Sequence, residues 1–194
     1  MTRTTHVVAR PTTGRLRLRP TRRGRGFVVG IVDAAGPDTN GFAPRDRVAW
    51  RDTDAELQLT APDGQNLLLM DQDDVLGVPS WITDDQVVSY LGAGLIARAL
   101  VRTRPFGRGD EIRVVSTDPL IEQMTAAWAK SLGARVVDKG GEFAIQDEPR
   151  VRRNVLGSHG KLAQAAVEVF QAIRAGVFDG VRPVSSQDAQ RKAA

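Results

Sequence analysis

The side chains able to do chemistry in this chain are few, and each can be taken in turn. There is no cysteine, and there are two histidines (His6 and His159) and one tyrosine (Tyr90). Disulfides and thiolate metal sites are therefore excluded, and little material remains for a zinc site. His159 sits in Gly157-Ser-His-Gly160, directly before a helical stretch. Imidazole titrates near neutral pH, so His159 is the candidate general acid or base. The alternative is a surface histidine in a helix N-terminal turn. Tyr90 is the candidate hydrogen-bond donor to a ligand carbonyl, or else a core tyrosine satisfied internally. Asp71, Asp73 and Asp74 offer carboxylates, Asp73 being the candidate for substrate contact, although short acidic loops also occur simply as solvated surface. Of Trp50, Trp81 and Trp128, only Trp81 is a candidate for lining a pocket. No Ser-His-Asp spacing, paired-glutamate pattern or metal motif is present.

The element best placed to organise a ligand site is the stretch Glu111–Val137. Ile112 to Ser116 reads as a short buried strand entered from the turn Phe106-Gly-Arg-Gly-Asp110. Pro119 to Leu132 has helix composition, with proline in the first turn, where a missing N–H costs little. Leu120, Met124, Ala127, Trp128 and Leu132 recur at three- and four-residue steps, which gives the helix one buried face. Gly133 follows as a stop, and Ala134 to Val137 reads as a second strand. Strand, helix and strand make a parallel βαβ unit, the kernel of a nucleotide-binding sheet.

The turn of that unit argues against the usual ligand. A dinucleotide needs glycines there, so that backbone N–H groups can approach the pyrophosphate. Here the turn is Ser116-Thr-Asp-Pro-Leu-Ile-Glu122, without glycine and with Asp118 and Glu122 where phosphates would sit. Like charges at such range repel by about 4 kcal/mol at an effective dielectric near 20. The expectation is a protein without a bound cofactor and without a metal.

Composition sets outer bounds. The 194 residues are 41% hydrophobic, enough for a proper core. No apolar run reaches membrane-spanning length and the N-terminus lacks a signal-peptide core, so a cytoplasmic protein with no membrane partner is expected. The formal net charge is +4, and 23 of the 27 basic residues are arginine, a ratio that fits the coding bias of a GC-rich genome. The first 32 residues carry eight arginines and no acid. No aromatic residue interleaves this arm, so it reads as a solvated basic edge and no nucleic-acid partner is expected.

Along the chain, 6–10 and 16–19 alternate as strands, Gly24–Gly36 is a strand rich in small residues, and Arg45–Trp50, Ala55–Thr60 and Gln65–Met70 follow. Short strands in series predict an all-β unit, most simply a small open barrel. Asp71–Ser80 reads as a loop. Thr83 caps a helix from about Asp84 to Arg102, weakened by Gly92 and Gly94. Beyond the βαβ unit, Glu142–Ile145 and Val151–Val155 read as strands. Lys161–Gly176 reads as an amphipathic helix with Leu162, Ala165, Ala166, Val169, Phe170 and Ile173 on one face. The tail 177–194 is expected to return to the first unit.

This order resembles the zinc-independent medium-chain dehydrogenase/reductase superfamily, in particular its quinone oxidoreductase and enoyl reductase branch. Gly30-Ile-Val-Asp-Ala-Ala-Gly36 with Gly41-Phe-Ala-Pro-Arg-Asp-Arg-Val48 is similar to a passage of the family's GroES-like barrel. Ile82–Leu100 resembles the helix carrying "G-L-T-A". Arg108-Gly-Asp110, Trp128-Ala-Lys-Ser-Leu-Gly-Ala-Arg-Val136 and Val155-Leu-Gly-Ser158 resemble the family's "P-G-D", "W-A-K-x-L-G-A-x-V" and late "G-S" segments. The resemblance spans most of residues 26–176. It implies an α/β fold: a GroES-like β-barrel domain over 1–82, joined by 177–194, plus a truncated Rossmann-like α/β domain over 83–176. It also implies that Tyr90 and His159 border the family's cleft, and that Ile96 replaces the "G-L-T-A" threonine near the nicotinamide.

The departures shape the functional expectation. The glycine-rich turn is missing, and from Val137 the late "G-S" turn is reached within about twenty residues, so most of the second half of a six-stranded sheet is absent. A cofactor-independent enzyme is expected, one that cyclises, rearranges or isomerises a hydrophobic, polyketide-like small-molecule substrate. His159 and Tyr90 would act, with Trp81, Ile96 and Asp73 in the binding site. The alternatives are an NADPH-dependent quinone or enoyl reductase and a non-catalytic binding or assembly subunit. A homodimer is expected, because a shortened sheet leaves an edge to cover.

Overall fold

The computed structural model describes residues 10–53, 57–60, 64, 66–156 and 159–182. The expected strand at 6–10, except Arg10, and the tail beyond 182 lie outside them. The chain is a mixed α/β protein that divides into two compact units between Ser89 and Tyr90.

The first unit is one antiparallel sheet. Its strands are β1 (Arg15–Arg23), β2 (Phe27–Ala35), β3 (Arg47–Arg51), β4 (Leu57–Thr60), β5 (Asn66–Asp71) and β6 (Val75–Gly77), in the order β4-β5-β1-β2-β3-β6. Alternation in β1 puts Leu16 and Leu18 in the core and Arg15, Arg17 and Arg19 on the other face. Val28, Val48, Trp50, Leu68 and Met70 complete a cluster that is shut off from water. Each such side chain stabilises the fold by about 1.5–3 kcal/mol. Gly30 lets β1 and β2 close on this core: a Cβ there would lie 2.3 Å from the Arg19 carbonyl oxygen and 2.8 Å from Trp50.

The basic run becomes a counter-charged surface in three dimensions. Arg17 and Arg19 share Asp33 of β2, at 2.6 and 3.0 Å. Arg22 meets Asp85 at 2.7 Å, Arg23 meets Asp52 at 3.0 Å, and Arg15 lies 4.0 Å from Asp71. The acids absent from the first 32 residues are thus returned by later elements.

One reading of this region needs correction. Asp71–Ser80 is not all loop: Gln72–Asp74 is a single tight turn, and β6 pairs with β3 through Trp50↔Val75, Ala49↔Leu76 and Val48↔Gly77. Three residues are too few to show a strand period in sequence. Helix α1 (Asp84–Val101) begins as expected at Thr83. The Thr83 hydroxyl accepts from the Gln86 N–H at 3.2 Å, and Gln86 Oε1 accepts from the Thr83 N–H at 3.0 Å, a reciprocal capping box. Arg47 donates to the Pro79 and Ile82 carbonyls and pairs with Asp84, fixing this entry to the helix.

The second unit holds a three-stranded parallel sheet, β8-β7-β9, built from β7 (Glu111–Val115), β8 (Arg135–Val136) and β9 (Phe143–Gln146). Helix α2 (Pro119–Ser131) joins β7 to β8 as the βαβ reading requires. Asp118 caps it by accepting from the Leu120 N–H at 2.9 Å, and Gly133, at φ 96°, takes the left-handed conformation that ends it. Ile112, Val114, Ile121, Ala129, Ile145 and Leu100 form one core cluster.

Helix α4 (His159–Arg174) buries Leu162, Ala165, Ala166, Val169 and Phe170, with Ile173 partly covered, as its pattern predicts. Gly94, read from sequence as a weakness of α1, has a packing role. A Cβ there would meet Val169 at 2.6 Å and Met124 at 3.2 Å, so the α1 backbone approaches α4 closely.

Val151–Val155 is helical, within α3 (Pro149–Leu156), and not a strand. Pro149 starts it, and Val151 turns inward against the core cluster while Arg152 reaches back. The tail is corrected too, as far as it is described. Phe178 and Val181 pack with Ala97, Leu120, Met124 and Ala172 of the second unit, because two apolar side chains there find a ready cover over α2.

Candidate functional site

The five residues singled out in the sequence fall on both units. Asp73 is exposed in the tight turn after β5, where its N–H donates to Asp71 Oδ1 at 3.0 Å. Trp81 lies just before α1 and keeps 42% of its surface exposed. Tyr90 and Ile96 are both on α1 in the second unit. His159 opens α4, and its side chain lies outside the described set.

Two of these placements bear on chemistry. The Tyr90 hydroxyl donates to the Val181 carbonyl oxygen at 3.0 Å, and its ring stacks on Phe178 with centroids 6.5 Å apart. Burial, reinforced by the charge of Asp179, pushes its pKa upward, which disfavours proton release. Its single donor is thereby occupied within the protein. Ile96 is 7% exposed and packs with Leu100, Ile112 and Ile121. That is the position of a core residue, and it corrects the expectation that Ile96 lines a binding site: on α1 its face points to the sheet.

The β7–α2 turn is more informative. Ser116 Oγ donates to Asp147 Oδ2 at 2.6 Å and accepts from the Asp118 N–H at 3.0 Å. Arg152 of α3 clamps the same Asp147 through Nε, at 2.9 Å, and through a second guanidinium nitrogen. The Asp147 side chain is 1% exposed. Its carboxyl is held below the usual range by the Arg152 hydrogen bonds, with burial opposing and Ser116 assisting. Asp147 in return raises Arg152.

Across the turn, therefore, the N–H groups of Asp118 and Leu120 already have acceptors, and Pro119 has no N–H to offer. A pyrophosphate needs free N–H groups and a positive helix end at this point. The residues present offer a proline and a carboxylate, so a dinucleotide does not fit here and no step is derived through one. Asp147 and Arg152 were not visible as partners in the sequence. The signal was Pro149, which opens α3 and so turns Arg152 back over Asp147.

Beside the turn lies an open depression of about 530 Å3, walled by α2 on one side and by β7 and β8 on the other. Arg113, Val115, Glu122, Lys130, Val137 and Asp138 line it. A second depression, about 570 Å3, runs along the other flank of α2 against Val177 and Val181. Among the described residues no cluster of three or more His, Asp or Glu could hold a metal ion, and no helix is long and apolar enough to cross a membrane.

No protein-family model matches the chain, and no curated protein matches it. Solved structures do. A mycobacterial quinone oxidoreductase superposes with a TM-score of 0.60 at 16% identity, over 87% of this chain and 83% of the other. The Escherichia coli quinone oxidoreductase, solved with NADPH, superposes with a TM-score of 0.53 at 15% identity, over 83% of this chain but 49% of its own. A 2-haloacrylate reductase gives 0.53 at 20% identity, over 76% of this chain and 49% of that one. This chain thus spans about half the length of the last two. At these identities the likeness is one of fold: the chain shares the mixed α/β fold of quinone oxidoreductases of the medium-chain dehydrogenase/reductase superfamily.

Proposed function

We propose that this chain is a cofactor-independent enzyme on a reduced quinone-oxidoreductase scaffold, acting on a hydrophobic, conjugated small molecule without changing its oxidation state. In this reading the six-stranded sheet corresponds to the GroES-like barrel of that scaffold. The second unit corresponds to a Rossmann-like domain that has lost its later strands. The observation that carries the proposal is the β7–α2 turn, whose N–H groups, proline and buried Ser116–Asp147–Arg152 network leave no seat for a pyrophosphate. A reaction without hydride transfer remains open to such a scaffold. Orientation of a flexible substrate and one or two hydrogen bonds can suffice for a cyclisation or isomerisation. His159 is the proposed acid or base, its imidazole suited to proton movement near neutral pH. Association into a homodimer belongs to the same reading, because strands β8 and β9 both end the short sheet.

A second reading, an NADPH-dependent quinone or enoyl reductase, is favoured by the fold neighbours solved with NADPH. Mass analysis separates the two. The protein is incubated with polycyclic quinones and enones, with and without NADPH, and products are weighed. An isomer of unchanged mass, formed without NADPH and lost in His159→Ala, is the expected outcome. A product heavier by one hydride and one proton, formed only with NADPH, establishes the reductase instead.

A further inference from the structure

We infer that the depression between α2 and the β7–β8 face is a binding site for a small hydroxylated carboxylate with an apolar ring. Two features of the backbone create it. Strand β8 is only two residues long, and the chain then crosses under β7 through Gly140 and Gly141, both with positive φ, directly into β9. The Glu142 N–H donates to the Glu111 carbonyl at 2.9 Å, which pins this crossing at the start of β7. A parallel sheet is ordinarily covered on both faces by crossover helices. This connection is too short to hold one, so the flank of α2 and the outward residues of β7 stay open.

The side chains on that opening have a particular character. Ile112 and Val114 point to the core, which leaves Arg113 and Val115 on the other face of β7. Val115 is 42% exposed, unusual for a strand valine. Arg113 is half-buried; its Nε is sealed from solvent and has no hydrogen-bond partner. Lys130 projects from α2 into the same depression, as do Glu122 at the opposite end of that helix and Asp138 after β8. Among the described residues none of these four has a side-chain hydrogen bond or ion pair. A half-buried guanidinium without a counter-ion is costly, and an anion seated beside Arg113 and Lys130 offsets that cost.

The chemistry of the walls names the class of ligand. Two cations take a carboxylate. Valines 115 and 137 and the alanine of the α2 flank face an apolar body. Glu122 and Asp138 accept from hydroxyl groups elsewhere on it. A volume of about 530 Å3 accommodates a one- or two-ring molecule. The site runs along the side of α2 from the β7–α2 turn, with Ser116 and Glu122 in its wall, so a nucleotide and this ligand would meet some of the same residues and the test compares them.

The test uses 4-hydroxybenzoate as the probe on the full-length protein, followed by amide NMR, with benzoate, phenol, inorganic phosphate and NADPH as comparisons. Saturable shifts at Val115, Ser116 and Asp138 are expected with 4-hydroxybenzoate in the millimolar range, weaker with benzoate and absent with phenol. Arg113→Met and Lys130→Met should each weaken binding by about tenfold, the loss of one charge-assisted contact. Arg153→Met, on the exposed side of α3, should leave it unchanged. Lys130 is exposed, so its variant keeps the test valid if Arg113→Met fails to fold. Absence of saturable shifts, or binding indifferent to both substitutions, overturns the inference. Equal response to inorganic phosphate shows a site for any anion and likewise overturns it. Tight NADPH binding at the same amides, without 4-hydroxybenzoate binding, overturns it and the cofactor-independent reading together.

Discussion

In the first unit, five arginines of β1 reach Asp33, Asp52, Asp71 and Asp85, carboxylates from four later elements. In the second, Arg113, Lys130, Glu122 and Asp138 share one depression and pair with nothing among the described residues. The first arrangement is that of a scaffold whose charges are internally matched. Asp33 illustrates it: burial raises its pKa, but the Arg19 and Arg17 hydrogen bonds outweigh burial and hold it low. The second arrangement leaves charges available to something else. The second unit also holds matched pairs, Arg98–Glu168, Arg135–Glu111 and Arg152–Asp147, so the contrast lies in the four charges of the depression, which we assign to a ligand. Five of the eight arginines in the basic N-terminal run thus meet carboxylates within the protein.

The contrast can be broken or sharpened by substitution. The largest effect is expected at Trp50, which is 1% exposed in the core cluster of the first unit. Trp50→Ala should lower stability by about 3–5 kcal/mol in denaturant unfolding, by transfer and cavity terms together. Val115→Ala, on the open face of β7, should change it by less than about 0.5 kcal/mol. Comparable losses at the two sites would mean that the β7 face is covered after all.

Asp147→Asn comes next, at about 2–3 kcal/mol, because it strips the buried partner from Arg152 and Ser116. The pH dependence has a definite sign. The Asp147 pKa is depressed in the folded state, chiefly by Arg152. Its contribution is therefore complete above the unfolded carboxyl value near about 4, and is lost as pH falls through the lower folded value. Stability measured across the acid range should fall more steeply in the native protein than in Asp147→Asn. Identical acid limbs would show that the clamp contributes nothing.

Gly94→Ala should cost about 1–2 kcal/mol, since the new methyl meets Val169 at 2.6 Å, although alanine favours helix intrinsically. A rise in Tm would show that α1 and α4 have room between them. The smallest effect is expected for Arg22→Gln. Its pair with Asp85 is 58% and 71% exposed, and such pairs contribute within about 0.5 kcal/mol.

How much of this was legible in the sequence depended on the range over which each signal acts. The Thr83–Gln86 box, the Leu16/Leu18 alternation and the apolar stripe of α4 are local patterns, and each fixed its element correctly. The βαβ unit was legible for the same reason. Arg-Val-Arg-Arg-Asn-Val at 150–155 alternates enough to imitate a strand, and only Pro149 pointed to a helix start. Strand β6 is three residues long and owes its existence to β3, a partner far away in sequence. Among the site candidates, Tyr90 and Ile96 were selected by position on a helix, but a helix position does not say which face meets the core. The Ser116–Asp147–Arg152 network and the four unpaired charges are long-range arrangements, invisible until the sheet was assembled.

The most direct test of the central claim is a calorimetric titration of the native protein with NADPH, repeated with NADH. The turn at Ser116–Glu122 has its N–H groups at Asp118 and Leu120 already bonded and a carboxylate at the helix entrance. No heat of binding is predicted up to millimolar nucleotide. A saturable isotherm with about one nucleotide per chain, lost on mutating the turn, would contradict the account and restore the reductase reading.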